Sequence, residues 1–157
     1  MLSDADRLIV EKLTALIRGI RTMSEDEASA RLRASMQADF DRLASRAREV
    51  RFSATQKGVF QASSQETFRA ELREIDNDLH AQIRLVLDGI ENYEQNGLTP
   101  PPYYPWRIAI ILRKAKEYRL EAEFLDAFSA KFPGGKGGKF QDIAERAKKA
   151  RALAEKH

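Results

Sequence analysis

The sequence predicts an all-α protein, and three observations carry that expectation. Apolar residues recur at spacings of three and four along most of the chain, the period of a helix with one buried face. Eight glycines and five prolines are few and bunched, so that between Ser63 and Gly97 only Gly89 interrupts. Serine followed by carboxylates, and Asn-Gly followed by prolines, stand where helices start and stop. The expected architecture is an N-terminal antiparallel bundle of three helices over residues 1–97, a proline-rich linker over 98–105, and a helical hairpin with a closing helix over 106–157. The two parts are expected to pack as one unit.

The first helix is capped by Ser3, with Asp6 three residues on as a capping-box partner. Ile9, Leu13, Leu16 and Ile20, widened by Leu8 and Ile17, give it a broad apolar stripe. "TMSEDE" ends it and starts the next, with Ser24 as cap and three carboxylates at the positive end of the helix dipole. In the second helix Met36, Phe40, Leu43, Ala47, Val50 and Ala54 follow spacings of 4, 3, 4, 3 and 4, which is a heptad seam. A third helix opens at Ser63 and Glu66 and carries Phe68, Leu72, Ile75 and Leu79. Past Gln82 its stripe shifts to Ile83, Val86, Leu87, Ile90 and Tyr93, resembling a stutter. The second and third helices are expected to pair as an antiparallel hairpin that buries both stripes, with the connector over 52–63 left unassigned. Asn96-Gly97 closes the third helix.

"LTPPPYYP" reads as a stiff, extended stretch that cannot be helical, and Pro105 suits the first turn of a fourth helix running from about Trp106 to Lys116. Ile108, Ile111, Leu112 and Ala115 share one side of that helix, with Trp106 and Ile110 opposite. The next helix, around Tyr118 to Lys131, holds Leu120, Phe124, Ala127 and Phe128. "IAIILRKAKEYRLEAEFLDAFSAKFP" resembles one tetratricopeptide-type hairpin. Aligned on Tyr118 and Pro133, the family's large-small pair falls on Ile108-Ala109 and its later large residues on Leu112 and Leu125. Glu121 and Phe128 occupy positions that the family keeps small, and Trp106 is one residue out of place. No second copy follows at the family's period, so the resemblance implies a single hairpin docked on something else. It also implies protein or peptide binding rather than catalysis.

Composition narrows the chemistry. There is no cysteine, which removes disulfides, thiolate metal sites and cysteine nucleophiles. The acidic start lacks the charged and apolar regions of a signal peptide, and apolar runs are too short to span a membrane, so a cytoplasmic protein is expected. Net charge is +3, distributed as −3 over residues 1–102 and +6 over 103–157. "FPGGKGGKF" over 132–140 has the lysines of a phosphate loop but not its spacing. Phe140 stands where Ser or Thr should be, and a helix rather than a strand precedes it. It reads as a hinge. Asp76 and His80, four apart, supply two ligands where a transition metal usually needs three or four. With His80 and His157 the only histidines, a Ser–His–Asp triad has no convincing base.

The chain is therefore expected to be a non-enzymatic protein-interaction or adaptor module without cofactor or metal, presenting a groove to a protein partner. Tyr103, Tyr104, Trp106 and Ile110 are the candidate partner contacts, since aromatics of this kind anchor interfaces. The alternative is a basic accessory protein touching nucleic acid through Lys136, Lys139, Lys148 and Lys149. A homodimer joined through Ile90, Tyr93 and the Trp106–Ile110 patch is a further expectation.

Overall fold

The computed structural model describes residues 1–49, 65–134 and 138–157, with the side chains of 47–49 and 65 left undescribed. Within them the chain is all-helical. Seven helices follow in order: α1 (Asp4–Arg18), α2 (Glu25–Glu49), α3 (Gln65–Ile75), α4 (Leu79–Asn96), α5 (Tyr103–Lys114), α6 (Tyr118–Lys131) and α7 (Gly138–Lys156). None is long and apolar enough to cross a membrane. The Ser63 cap, Val50, Ala54, the 52–63 connector and Lys136 lie outside the described residues.

The capping signals hold where they are described. Ser3 accepts from the Asp6 amide, and the Asp6 carboxylate reaches back to the Ser3 amide. The Ser24 hydroxyl accepts from the Glu27 amide at 3.1 Å. Gly97 takes the left-handed conformation, φ 73°, and its amide donates to the Tyr93 carbonyl.

One apolar core joins α1, α4, α5, α6 and α7, so the N-terminal and C-terminal parts share it. Phe124, Phe128, Ile108, Leu112, Leu125, Ile17 and Ile143 are fully buried. Helix α6 is its centre, packed against α1, α5 and α7. Helix α5 begins at Tyr103 rather than near Trp106, so residues 103–105 of the stretch expected to be extended form its first turn, where the amide that proline lacks has no helical partner in any case. The α5–α6 hairpin turns within three residues, with Lys116 at φ 62°. Prolines 100 and 101 lie along α4 at Gly89, where an added Cβ would come 3.3 Å from the Pro100 Cβ. The single glycine of that helix is the place where the proline segment approaches closely.

Three expectations are corrected. In α1 the buried side is Val10, Leu13, Thr14, Ile17 and then Ile20, while Leu8 and Leu16 face outward. The broad stripe held too many apolar residues for one face, and periodicity alone did not choose between its two edges. Second, the long third helix is two helices, α3 and α4, separated at Asp76-Asn77-Asp78. Asp and Asn compete for backbone donors, which favours turns and caps over helix interiors. Asp78 takes an extended conformation and caps α4 by accepting from the Ala81 amide at 3.0 Å. The apparent stutter near Gln82 is the phase shift across this break.

Third, the described part of the α2 seam, from Met36 to Leu43, is not buried. Met36, Phe40 and Leu43 are 62%, 66% and 60% exposed, and Phe68 of α3 is also exposed. The N-terminal part of α2 is fastened instead to α4. The Met23 amide donates to the Tyr93 hydroxyl at 2.7 Å, and the Arg31 guanidinium donates to the Glu94 carbonyl.

Candidate functional site

The helix break is read by α5. The Tyr103 hydroxyl donates to the Asp76 carboxylate at 2.6 Å, and burial followed by that carboxylate holds the phenol above its ordinary range. The Arg107 guanidinium donates twice to the Asp76 carbonyl, at 3.0 and 2.9 Å. Lys114 and Arg107 both reach the Asn77 side-chain oxygen at 3.3 Å. From within α4, buried Gln82 donates to the Ile75 carbonyl at 2.8 Å, which ties the end of α3 across the break. Its own side-chain oxygen is buried and, among the described residues, has no hydrogen-bond partner. Tyr103→Phe removes one of these fasteners and is expected to lower stability by about 1 kcal/mol. Chemical denaturation with an unchanged slope and a lowered midpoint is the check.

The break also separates Asp76 from His80. Asp76 faces Tyr103 and Arg107, whereas the His80 ring lies 2.8 Å from Asp6 of α1. The Asp6 carboxyl is lowered, first by the Ser3 hydroxyl and then by His80. Among the described residues, no group of three or more metal-ligating side chains converges.

Tyr103, Tyr104 and Trp106 form a cluster of half-buried rings, with Tyr103 edge-on to Tyr104 at 5.7 Å and tilted to Trp106 at 6.3 Å. Tyr104 and Trp106 pack against the core, and Ile110 is half-buried on the same helix. The Lys139 ammonium sits 3.8 Å above the Trp106 ring, a cation–π contact, with the Arg107 guanidinium 5.9 Å from the ring centre. The fold thus joins Trp106 and Lys139, which sequence reasoning assigned to different functions. Lys149 lines a 170 Å³ cleft with Trp106, Arg113, Arg146, Asp142 and Glu145, so carboxylates face its cations. Lys148 is exposed on α7. Ile90 and Tyr93, expected at a dimer contact, are buried in the core. That expectation is overturned for Tyr93, whose ring packs edge-on to Phe132 and whose hydroxyl holds Met23, while Ile90 reaches only the floor of a groove beside α1.

At the floor of the same region lies a network that sequence reasoning missed. Glu121 of α6 is completely buried and accepts from Arg113 of α5 at 3.0 Å and from Arg146 of α7 at 2.8 Å. Arg146 also reaches the Ala109 carbonyl, and Arg113 the Arg146 carbonyl. Burial pushes the Glu121 carboxyl up, against the downward pull of the two guanidiniums. Burial likewise lowers Arg146. The trace in the sequence was a glutamate where the tetratricopeptide pattern keeps a small residue. Its two partners, eight and 25 residues away, leave no local signature.

An open groove lies elsewhere, between α1 and α4. It has a volume of 480 Å³ and is lined by Ala15, Leu16, Gly19, Ile20, Leu87 and Ile90, with Glu91 and Glu94 along its α4 side. Leu16 and Leu87 are exposed. Compared with known proteins, the chain matches no family model, no curated protein and no solved structure.

Proposed function

We propose that this protein is a non-enzymatic interaction module whose α1–α4 groove receives a helical segment of a protein partner. The observation that carries the reading is that groove: an apolar floor between two helices, with outward-facing leucines on both sides. Amphipathic helices dock into such grooves by apolar anchors spaced three and four apart. Glu91 and Glu94, with exposed Asp88 on the same helix, give the α4 wall an acidic edge. The matching segment carries lysine or arginine beside its apolar anchors. The tetratricopeptide-like character of the α5–α6 hairpin agrees with a binding role, with that hairpin serving here as support for the groove.

The experiment is a capture from nuclease-treated lysate with wild-type protein and with Leu87→Arg, followed by cross-linking of the captured partner. Leu87 is exposed, so the variant is expected to keep its circular dichroism and melting temperature while losing the partner. Cross-links from the wild-type complex are expected at α1 and α4. Nucleic acid in place of protein, lost on reversing Lys139, Lys148 and Lys149 to glutamate and falling steeply with salt, would replace this reading with the basic-accessory one.

A further inference from the structure

We propose that the exposed seam of α2 pairs antiparallel with the same seam of a second copy of this chain. Docking into the α1–α4 groove plays no part in this, since the residues lie on a different helix. Met36, Phe40 and Leu43 are large and apolar, keep heptad spacing, and are each more than half exposed. Single exposed apolar residues are ordinary, whereas three in register on one helix make a continuous ridge. The ridge has a polar end: one heptad step before Phe40, the seam position holds exposed Arg33.

Charge selects the second copy and its direction. With Phe40 and Ala47 at the first core position of the heptad, and Met36 and Leu43 at the second, Asp39 and Arg46 fall at the flanking position beside the seam. In an antiparallel pair that sets Phe40 of one copy against Leu43 of the other, the flanking positions meet their own kind. Asp39 of each copy then faces Arg46 of the other, twice by symmetry. Sliding the pair by one heptad in one direction puts Arg46 against Arg46, and in the other puts Asp39 against Asp39. A parallel pair leaves Asp39 opposite Ala44. One register alone is complementary in both packing and charge, and it is closed by a twofold axis near Asp41 and Arg42, as a self-complementary contact requires. Asp39 is held by Arg42 of its own helix in the single chain, and Arg46 is exposed beside it. The pairing adds a second cation to that carboxylate.

The ridge is short. Two copies bury roughly 1,000 Å² through it, at the lower limit for a specific interface, so weak pairing that depends on concentration is expected. Sedimentation equilibrium from low to high micromolar concentration is the test. Wild-type protein is expected to move from monomer to dimer, and Leu43→Asp to remain monomeric with unchanged helicity and melting temperature at low concentration. Asp39→Arg is expected to weaken the dimer at least about tenfold, and Asp39→Arg combined with Arg46→Asp to restore it. A wild-type protein that stays monomeric throughout overturns the proposal and leaves the seam to a different protein. A dimer indifferent to Asp39→Arg overturns the antiparallel register. A dimer that survives Leu43→Asp overturns the seam itself.

Discussion

Glu121→Ala is expected to cost about 3–5 kcal/mol, a large share of the roughly 5–15 kcal/mol that holds a typical domain together. The carboxylate is sealed from water between α5, α6 and α7, and it is the common acceptor for Arg113 and Arg146. Removing it leaves two partly buried guanidiniums facing each other with no anion between them, and a small void on α6. A buried ion network is costly to break even where forming it contributes little net stability, because desolvation has already offset most of the attraction. Glu121→Gln keeps the volume and one acceptor, and is expected to cost about 1–2 kcal/mol. Urea denaturation of the three proteins side by side measures this, and an alanine variant as stable as wild type would mean that water reaches the site.

The pH dependence has a definite sign. In the unfolded chain Glu121 titrates near its ordinary value of 4.5, and in the folded chain it titrates above it. The stability linked to this group is therefore complete below 4.5 and is lost as the pH rises through the folded value. Glu121→Gln cannot titrate, so wild type should lose ground to it as the pH is raised through the acid range.

Gly97→Ala is expected to be nearly as damaging, at about 2–4 kcal/mol. Two independent costs meet at this residue. Its φ of 73° is left-handed, which a Cβ disfavours, and the Cβ would stand 2.3 Å from the Ala28 carbonyl oxygen and 2.9 Å from the Ala28 Cα. Those atoms belong to the backbone of α2, which cannot rotate aside as a side chain can. Relief requires α2 to move away from α4, lengthening the Met23–Tyr93 hydrogen bond and the Arg31 contact. Faster amide exchange in the first turns of α2, together with a lowered denaturation midpoint, would report it. Unchanged exchange there would mean that the α2–α4 contact is softer than its geometry.

The helical class, the Tyr118–Lys131 bounds of α6 and the caps at Ser3, Ser24 and Gly97 were legible because they depend on neighbours three or four residues away. What was not legible depends on distance. The heptad spacing of α2 was read correctly as a pattern, but a pattern does not say whether its partner lies in the same chain. The Asp76-Asn77-Asp78 break was hidden because apolar residues continue on both sides of it, and only the shifted phase recorded the interruption. Of the candidate residues, Trp106 and Lys139 are joined by a contact between α5 and the start of α7 that no spacing rule predicts. Glu121 was noticed as a departure from the tetratricopeptide pattern. Its meaning needed Arg113 and Arg146, which only the packing of three helices brings to it.

The packing of α1 on α6 has a consequence for how the chain comes into being. Arg7 and Glu117 meet across 110 residues of sequence, and the inner face of α1 rests on a helix that ends at Lys131. During synthesis α1 leaves the ribosome well before α6, the helix on which its inner face with Val10, Leu13 and Ile17 rests. The first helix must wait, amphipathic and uncovered, while about a hundred residues follow it, which takes roughly 5–20 s at ordinary elongation rates. A nascent chain halted before Lys131 would therefore hold an α1 open to chaperones, and emergence of α6 would close it within the ordinary time of domain docking.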